Sequence, residues 1–355
     1  MKTIFIAASG SGGHLFPAVY VADALRKIDP SLILVGIGSG RPLEKKIFSD
    51  WNLPYEIIET VGIKNRGVSG FCEFLFSIPQ AIYQTAKLFY KYKPSAVIGM
   101  GGYATVFPVI YAWAAGISTW IHEAELKPGL ANFILCFFSQ TVSVAFEQAK
   151  LPTKSNRVFT GHPVRQGLAE VVKNKVNNEP VKNLLILGGS QGAAGLDQAL
   201  PHLSKLFLAN KINIRHQCRK NYSESVTKAY KEQGVDAEVV EFIDDMPSAY
   251  NWADMVIARS GAGSIMEIGV VNIPAVLVPF PFAQADHQTH NANILVEQGK
   301  ALLVSEKSAN FISELISAVS ALLDKSNYNN MLNKPLLNRT INAAEQIAKG
   351  VLAKI

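Results

Sequence analysis

The strongest constraint on this chain is a rhythm. Short apolar runs rich in β-branched residues ("TIFIAA", "LILVGI", "AVIGM", "TWIHE", "NLLILGG", "EVVEFI", "MVIARS", "AVLVPF") alternate with stretches of helical spacing. A run that is apolar on both faces needs cover on both faces, which a parallel sheet flanked by helices supplies. The expected fold class is α/β, with doubly wound, Rossmann-like parallel sheets. The rhythm also restarts. After "TGHPVRQGL" a polar stretch, "KNKVNNEPVK" (173–182), leads into "LLILGGSQGAAG", which repeats the strand, glycine turn and helix of the N-terminus. A length of 355 residues suits two domains. The expected division is 1–165, then 166–340, with the helix-like segment 341–355 crossing back to the first domain. Two such sheets imply a ligand cleft at the C-terminal ends of their strands.

Composition narrows the function classes. Hydrophobic residues make up 48% of the chain, enough for two cores and too many for disorder. Cys72, Cys136 and Cys218 are far apart and form no CxxC pair, which argues against a disulfide framework or structural zinc. The first apolar run is too short for a signal-peptide core, so export is not expected. The longest apolar stretch, 106–121, is broken by Pro108 and Gly116 and reads as buried helix and strand. A formal charge of +6 suits an anionic partner. Basic runs are short and lack interleaved aromatics, so nucleic acid is not expected as that partner.

Four loops share one design: "SGSGGH" (9–14), "GMGGYA" (99–104), "GGSQGAAG" (188–195) and "RSGAGS" (259–264). Each follows a strand and precedes a helix. Glycine there permits close backbone approach, while free helix N–H groups favour a phosphate or sugar oxygen. A nicotinamide dinucleotide fits poorly, because residues 10–15 lack a third glycine and "VGIGSGR" brings no acid for a ribose. A P-loop is absent. In "ADMVIARSGAGSIMEIG", Ser260 to Ser264 open a helix and Glu267 lies about one turn further in. A helix N-terminus facing a diphosphate and a carboxylate accepting ribose hydroxyls together suit a sugar nucleotide; a merely capping or solvated Glu267 is the plainer reading.

Taken together, "GSGGHLFPA", "GMGGYATVFP", "IHEAELKPGLAN", "GHPVR", "GGSQGA", "EFIDDM", "ARSGAGSIMEI" and "DHQTHNA" resemble, in this order, the MurG family. These N-acetylglucosaminyltransferases complete lipid II in peptidoglycan synthesis, a process tied to cell shape and division. The resemblance runs from residue 5 to about residue 304. It implies a GT-B architecture and inverting transfer of N-acetylglucosamine from UDP-N-acetylglucosamine to the 4-hydroxyl of the muramyl sugar of lipid I. It implies no metal and no other cofactor. Carried over by position, the donor contacts are Ser11, Gly12, Gly13, Arg165, Ser190, Ile243, Ala262, Gly263, Ser264, Ile265, Met266, Glu267 and Gln288. The backbone N–H groups of "GMGGYA", at Gly101 and Gly102, are expected to hold the acceptor diphosphate, with Tyr103 lining the cleft. His14 is expected to serve as general base, since an imidazole titrates near neutral pH; a loop-capping histidine is the alternative.

Two positions depart from the family. Where H-E-Q-N is usual, this chain has His122, Glu123, Ala124 and Glu125, so a carboxylate replaces a neutral amide. Glu125 is open to four readings: a base, recognition of an altered acceptor, a changed donor choice, or a copy with weakened activity. "GHPVR" has His162 where asparagine is frequent, read here as tolerated variation.

Residues 70–94 join Phe71, Phe74, Leu75, Phe76, Ile78, Ile82, Leu88 and Phe89 to Lys87, Lys91 and Lys93. Core packing explains part of this apolar face, and a helix lying on anionic headgroups explains the rest. With an undecaprenyl-anchored acceptor implied, the expectation is peripheral binding at the cytoplasmic side of the inner membrane, with Trp113 nearby and other cell-wall synthesis proteins as partners. A related GT-B enzyme acting on another lipid, such as a diacylglycerol, and a non-catalytic UDP-sugar binder stay open as alternatives.

Overall fold

The computed structural model describes residues 1–60, 67–152, 157–171, 181–189, 192–283, 286–334 and 341–355, without the side chains of 67–72, 74, 75 and 169. The chain divides into two compact units, Met1–Val164 with Thr340–Ile355, and Arg165–Arg339.

The first unit is built on seven parallel strands: β1 (Thr3–Ala7), β2 (Ile33–Gly38), β3 (Tyr55–Ile57), β4 (Ala96–Gly99), β5 (Ser118–Glu123), β6 (Thr141–Val144) and β7 (Arg157–Phe159). Their order is β3-β2-β1-β4-β5-β6-β7. Helices α1 (Gly12–Ile28), α2 (Pro42–Asp50), α3 (Gly67–Tyr92), α4 (Val106–Ala114) and α5 (Leu130–Leu135) accompany them. Side chains alternate across a strand, so β1 feeds two cores. Ile4 and Ile6 pack with Leu15, Val19 and Leu25 of α1 on one face. Phe5 and Ala7 pack with Leu88, Phe89 and Val109 of α3 and α4 on the other. At about 1.5–3 kcal/mol for each large side chain fully buried, this one short strand anchors both layers. The apolar stretch 106–121 resolves into α4 and β5 as expected. Among the described residues, no helix is long and apolar enough to cross a membrane.

The second unit carries six parallel strands: β8 (Asn183–Leu187), β9 (Asn213–Gln217), β10 (Ala237–Val240), β11 (Met255–Ala258), β12 (Ala275–Leu277) and β13 (Ala301–Leu303). They run in the order β10-β9-β8-β11-β12-β13. Its helices are α6 (Ala194–Ala199), α7 (Ser204–Asn210), α8 (Ser223–Glu232), α9 (Met246–Trp252), α10 (Ala262–Val271), α11 (His287–Glu297), α12 (Phe311–Leu323) and α13 (Lys325–Asn333). The last helix, α14 (Ala343–Leu352), packs on α1 of the first unit. It buries Ile347, Ala348 and Val351 in the core that α1 shares with β1. Gly350 lies so close to the Trp120 ring that a Cβ would overlap it.

Both sheets reverse their order beside their first strand. β1 lies between β2 and β4, and β8 between β9 and β11. The four glycine-rich loops follow β1, β4, β8 and β11, so each reversal point carries two of them. Such reversal points are where open α/β sheets take their ligands.

Candidate functional site

In the first unit the loops after β1 and β4 are stitched together. The Ser9 N–H donates to the Gly101 carbonyl (3.0 Å), and the Ala104 N–H donates to Ser9 Oγ (3.2 Å). Gly101 and Gly102 have φ of +112° and +90°, a region that strains any residue with a Cβ. Their glycines also serve contact within the chain. A Cβ on Gly101 would reach 2.7 Å from His14 Cδ2 and 2.9 Å from its Nε2, and one on Gly102 would overlap Ser9. The structure thus brings His14, Gly101, Gly102 and Ser11 to Gly13 together at the C-terminal ends of the central strands β1 and β4. α1 begins at Gly12 with Ser11 as an N-cap that makes no side-chain capping bond, and its first turn holds no acidic residue. His14 is half-buried, and its Nδ1–H donates to the Ser9 carbonyl (3.0 Å). Because a carbonyl can only accept, Nδ1 carries the proton of the neutral ring and Nε2 is the basic nitrogen.

A buried carboxylate that sequence reading missed sits beneath this loop. Glu44 accepts hydrogen bonds from the N–H groups of Gly10 (3.1 Å), Ser39 (2.7 Å) and Arg41 (3.2 Å). It also accepts from the hydroxyls of Ser39 (2.8 Å) and Tyr55 (2.8 Å). Burial acts to raise its pKa, but these donors outweigh burial and the carboxyl lies below its ordinary value.

At the tip of β5, His122 Nε2 and His162 Nδ1 are 3.0 Å apart, and His122 Nδ1 lies 3.0 Å from Ser143 Oγ. Burial holds both imidazoles neutral, with each other and His14 adding to the effect at His122, and His14 at His162. His162 is therefore an integral partner of the "HEAE" strand end, more than the tolerated variation expected from sequence. Glu123 is buried, which pushes its carboxyl up to about 8. Its oxygens accept from the Glu125 N–H (2.8 Å) and Asn132 Nδ2 (2.9 Å), which fixes the backbone that presents half-buried Glu125.

In the second unit α10 begins directly after the loop that follows β11, with Gly261 as N-cap and no side-chain capping bond. A Cβ on Gly261 or Gly263 would meet nothing within 4 Å, so here glycine leaves open space in front of the helix N–H groups. Glu267 and Arg165, both expected as donor contacts from the family resemblance, meet at 3.5 Å. The Tyr250 hydroxyl of α9 donates to the other Glu267 oxygen (3.3 Å). Burial raises the Glu267 carboxyl, and Arg165 and Tyr250 offset part of that rise. Gln288 accepts the Phe280 N–H through Oε1 (2.8 Å), which leaves its NH₂ to address a ligand. Behind the loop, Arg259 donates to the Val278 (3.1 Å) and Pro279 (3.0 Å) carbonyls. Arg259 also pairs with Glu306 at 2.5 Å. Ile243 is buried after β10, and Ser190 lies outside the described residues. Among the described residues, no group of three or more His, Cys, Asp or Glu is arranged to hold a metal ion.

On α3, Phe76 is 85% exposed, whereas Leu88 and Phe89 join the core. The side chains of Phe71, Phe74 and Leu75 lie outside the described residues. Lys87 and Lys91 are exposed, and Lys91 pairs with Glu56 at 2.8 Å. Sequence reading missed α5, where Leu130 and Phe133 are exposed, as is Phe137 just after it, near α4 with exposed Trp113.

Two doubly wound sheets, each with paired glycine-rich loops at its reversal point, define a protein of the GT-B class. Residues 4–144 match the glycosyltransferase family 28 N-terminal domain, and residues 183–349 match the C-terminal domain of that family. The UDP-N-acetylglucosamine--N-acetylmuramyl-(pentapeptide) pyrophosphoryl-undecaprenol N-acetylglucosamine transferase of Myxococcus xanthus is 36% identical over 348 residues, covering 94% of this chain and 90% of its own. The enzyme of the same name from Haemophilus ducreyi is 35% identical and covers 99% of this chain and 98% of its own. The crystal structure of Acinetobacter baumannii MurG superimposes with a TM-score of 0.79 at 28% identity, covering 99% and 100% of the two chains. This chain belongs to the MurG family. CalG4, the calicheamicin glycosyltransferase, shares the fold alone, at 10% identity and a TM-score of 0.67 over 99% and 98% of the chains.

Proposed function

We propose that this protein transfers N-acetylglucosamine from UDP-N-acetylglucosamine to the 4-hydroxyl of the muramyl sugar of lipid I, forming lipid II with inversion at the anomeric carbon. The observation that carries the reading is the pairing of all four glycine-rich loops at the two reversal points, with His14 in one pair and the Glu267 helix in the other. His14 Nε2 takes the proton of the acceptor hydroxyl as its oxygen bonds to the anomeric carbon. The bond from that carbon to the diphosphate breaks and UDP leaves. The uncapped start of α10 receives the charge growing on the diphosphate, and Glu267 accepts the ribose hydroxyls. The backbone N–H groups of the Gly101–Gly102 turn hold the acceptor diphosphate, and Ser11 to Gly13 at the start of α1 contact the donor. Glu125 faces the sugars as an acceptor of hydrogen bonds only, where the family's amide both donates and accepts.

The test is transfer of labelled N-acetylglucosamine to a short-chain lipid I analogue in detergent. A disaccharide-linked lipid is expected; product on a diacylglycerol and none on lipid I would redirect the reading to another lipid acceptor.

The same reading has the protein bind peripherally to the cytoplasmic face of an anionic membrane through the exposed apolar side chains between α3 and the turn after α5. Exposed Phe76, Trp113, Leu130, Phe133 and Phe137, with exposed Lys87 and Lys91 on α3, support it. In flotation with vesicles containing anionic lipid, joint replacement of Phe76 and Phe137 by serine is expected to lower the bound fraction about tenfold. Equal flotation of parent and variant would remove the claim.

A further inference from the structure

Glu44 and His14 hold opposite ends of one peptide group. The Gly10 N–H donates to Glu44 Oε1 at 3.1 Å. The carbonyl of that same peptide unit, on Ser9, accepts the His14 Nδ1–H at 3.0 Å. A carboxylate bound to an amide N–H draws the amide's electrons toward its oxygen, so the carbonyl becomes a stronger acceptor. That oxygen then favours an imidazole with its proton on Nδ1 and, after proton uptake at Nε2, favours the imidazolium.

We propose that Glu44 is the positioning residue of His14, fixing its ring and raising its basicity through the Ser9–Gly10 peptide. The proposal rests on His14 being the base of the transfer. During turnover Nε2 gains the acceptor's proton, Nδ1 keeps its own, and Glu44 stays ionised.

The surroundings agree with this division of charge. Glu44 is fully buried, and its five protein donors keep it ionised. Tyr55 keeps its proton, because burial and the Glu44 carboxylate both raise its pKa. His122 on β5 and His162 after β7 also face His14, and burial holds both neutral. Within this set Glu44 supplies the negative charge. The chain also keeps a glycine where the carboxylate rests: a Cβ on Gly38 would stand 2.7 Å from Glu44 Oε2 and 2.8 Å from the Tyr55 oxygen.

The experiment is a double-mutant cycle with the full chain. Wild type, Glu44→Gln, His14→Ala and the double variant are assayed for transfer to the lipid I analogue from about pH 5.5 to 9. Gly38→Ala, which displaces the carboxylate from the other side, gives the same readout if Glu44→Gln folds poorly. Glu44→Gln is expected to lower kcat about 10- to 30-fold with the donor KM within about twofold, and to move the acid limb of the pH profile to lower pH. In the His14→Ala background it is expected to change nothing further. An unshifted acid limb, or an equal loss with and without His14, would overturn the proposal. Wild-type turnover of His14→Ala alone would overturn the base reading as well, and that single variant identifies this case.

Discussion

Replacing His14 with alanine is expected to lower kcat by about 10²- to 10⁴-fold, the range a positioned general base contributes. The expectation follows from the proton inventory of the ring. Nδ1–H is committed to the Ser9 carbonyl, so Nε2 is the nitrogen with a lone pair to accept the hydroxyl's proton. Gly101 lies against that side of the ring closely enough that any larger residue would push on it. A residue that acts only as the base leaves the donor's own contacts intact, so UDP affinity measured without acceptor should not change. A fall in UDP affinity matching the fall in kcat would mark His14 as a phosphate ligand instead.

A second large effect is expected at the ribose. Glu267→Gln should raise the KM for UDP-N-acetylglucosamine about 10- to 100-fold, because a hydrogen bond to a charged group is worth about 1.5–3 kcal/mol. The glutamine keeps the size but loses the charge that Arg165 and the Tyr250 hydroxyl address. A 2′-deoxyribose donor tests the assignment: it should bind wild type poorly and the variant no worse than the natural donor. The pH dependence follows the same logic. Burial raises the Glu267 carboxyl, so donor affinity should decline on acidification at a pH above the ordinary carboxylate range. Tyr250→Phe removes a bond to the charged form, so the decline should begin at still higher pH. A donor KM that is flat across that range in both proteins would contradict the role given to Glu267.

The sequence made the architecture legible wherever the strands are buried on both faces. β1, β4, β8 and β11 were plain because Ile4 to Ala7, Ala96 to Ile98, Leu184 to Leu187 and Met255 to Ala258 all lie in the interior. β9, "NIRHQ", was not, because it buries His216 and Gln217 in place of aliphatic residues. β7, three residues at the sheet edge, has no fully buried side chain to announce it. The glycine loops were found but read too uniformly. Gly261 and Gly263 leave space for a ligand, whereas Gly101 and Gly102 admit His14 and Ser9. Glu44 was invisible because a glutamate early in a helix reads as a capping residue. It does accept the Arg41 N–H in that role, but the donor that matters for the site lies 34 positions earlier. Tyr250 was missed for the same reason: it comes to Glu267 from another helix, 17 positions earlier, and no local pattern marks it.

The return of α14 to α1 gives the polypeptide an unusual order of completion. During translation, residues 1–164 leave the ribosome first, yet the surface that Ile347, Ala348 and Val351 cover remains wet until the second unit has been synthesised. The nascent first unit therefore waits, partly assembled, while the second can close around its own sheet. A stalled or prematurely terminated chain that ends before Ala343 would expose α1 and the edge of Trp120 to water, a surface of the kind that chaperones and proteases recognise. Gly350, small enough to pass over that indole, makes the last docking step possible.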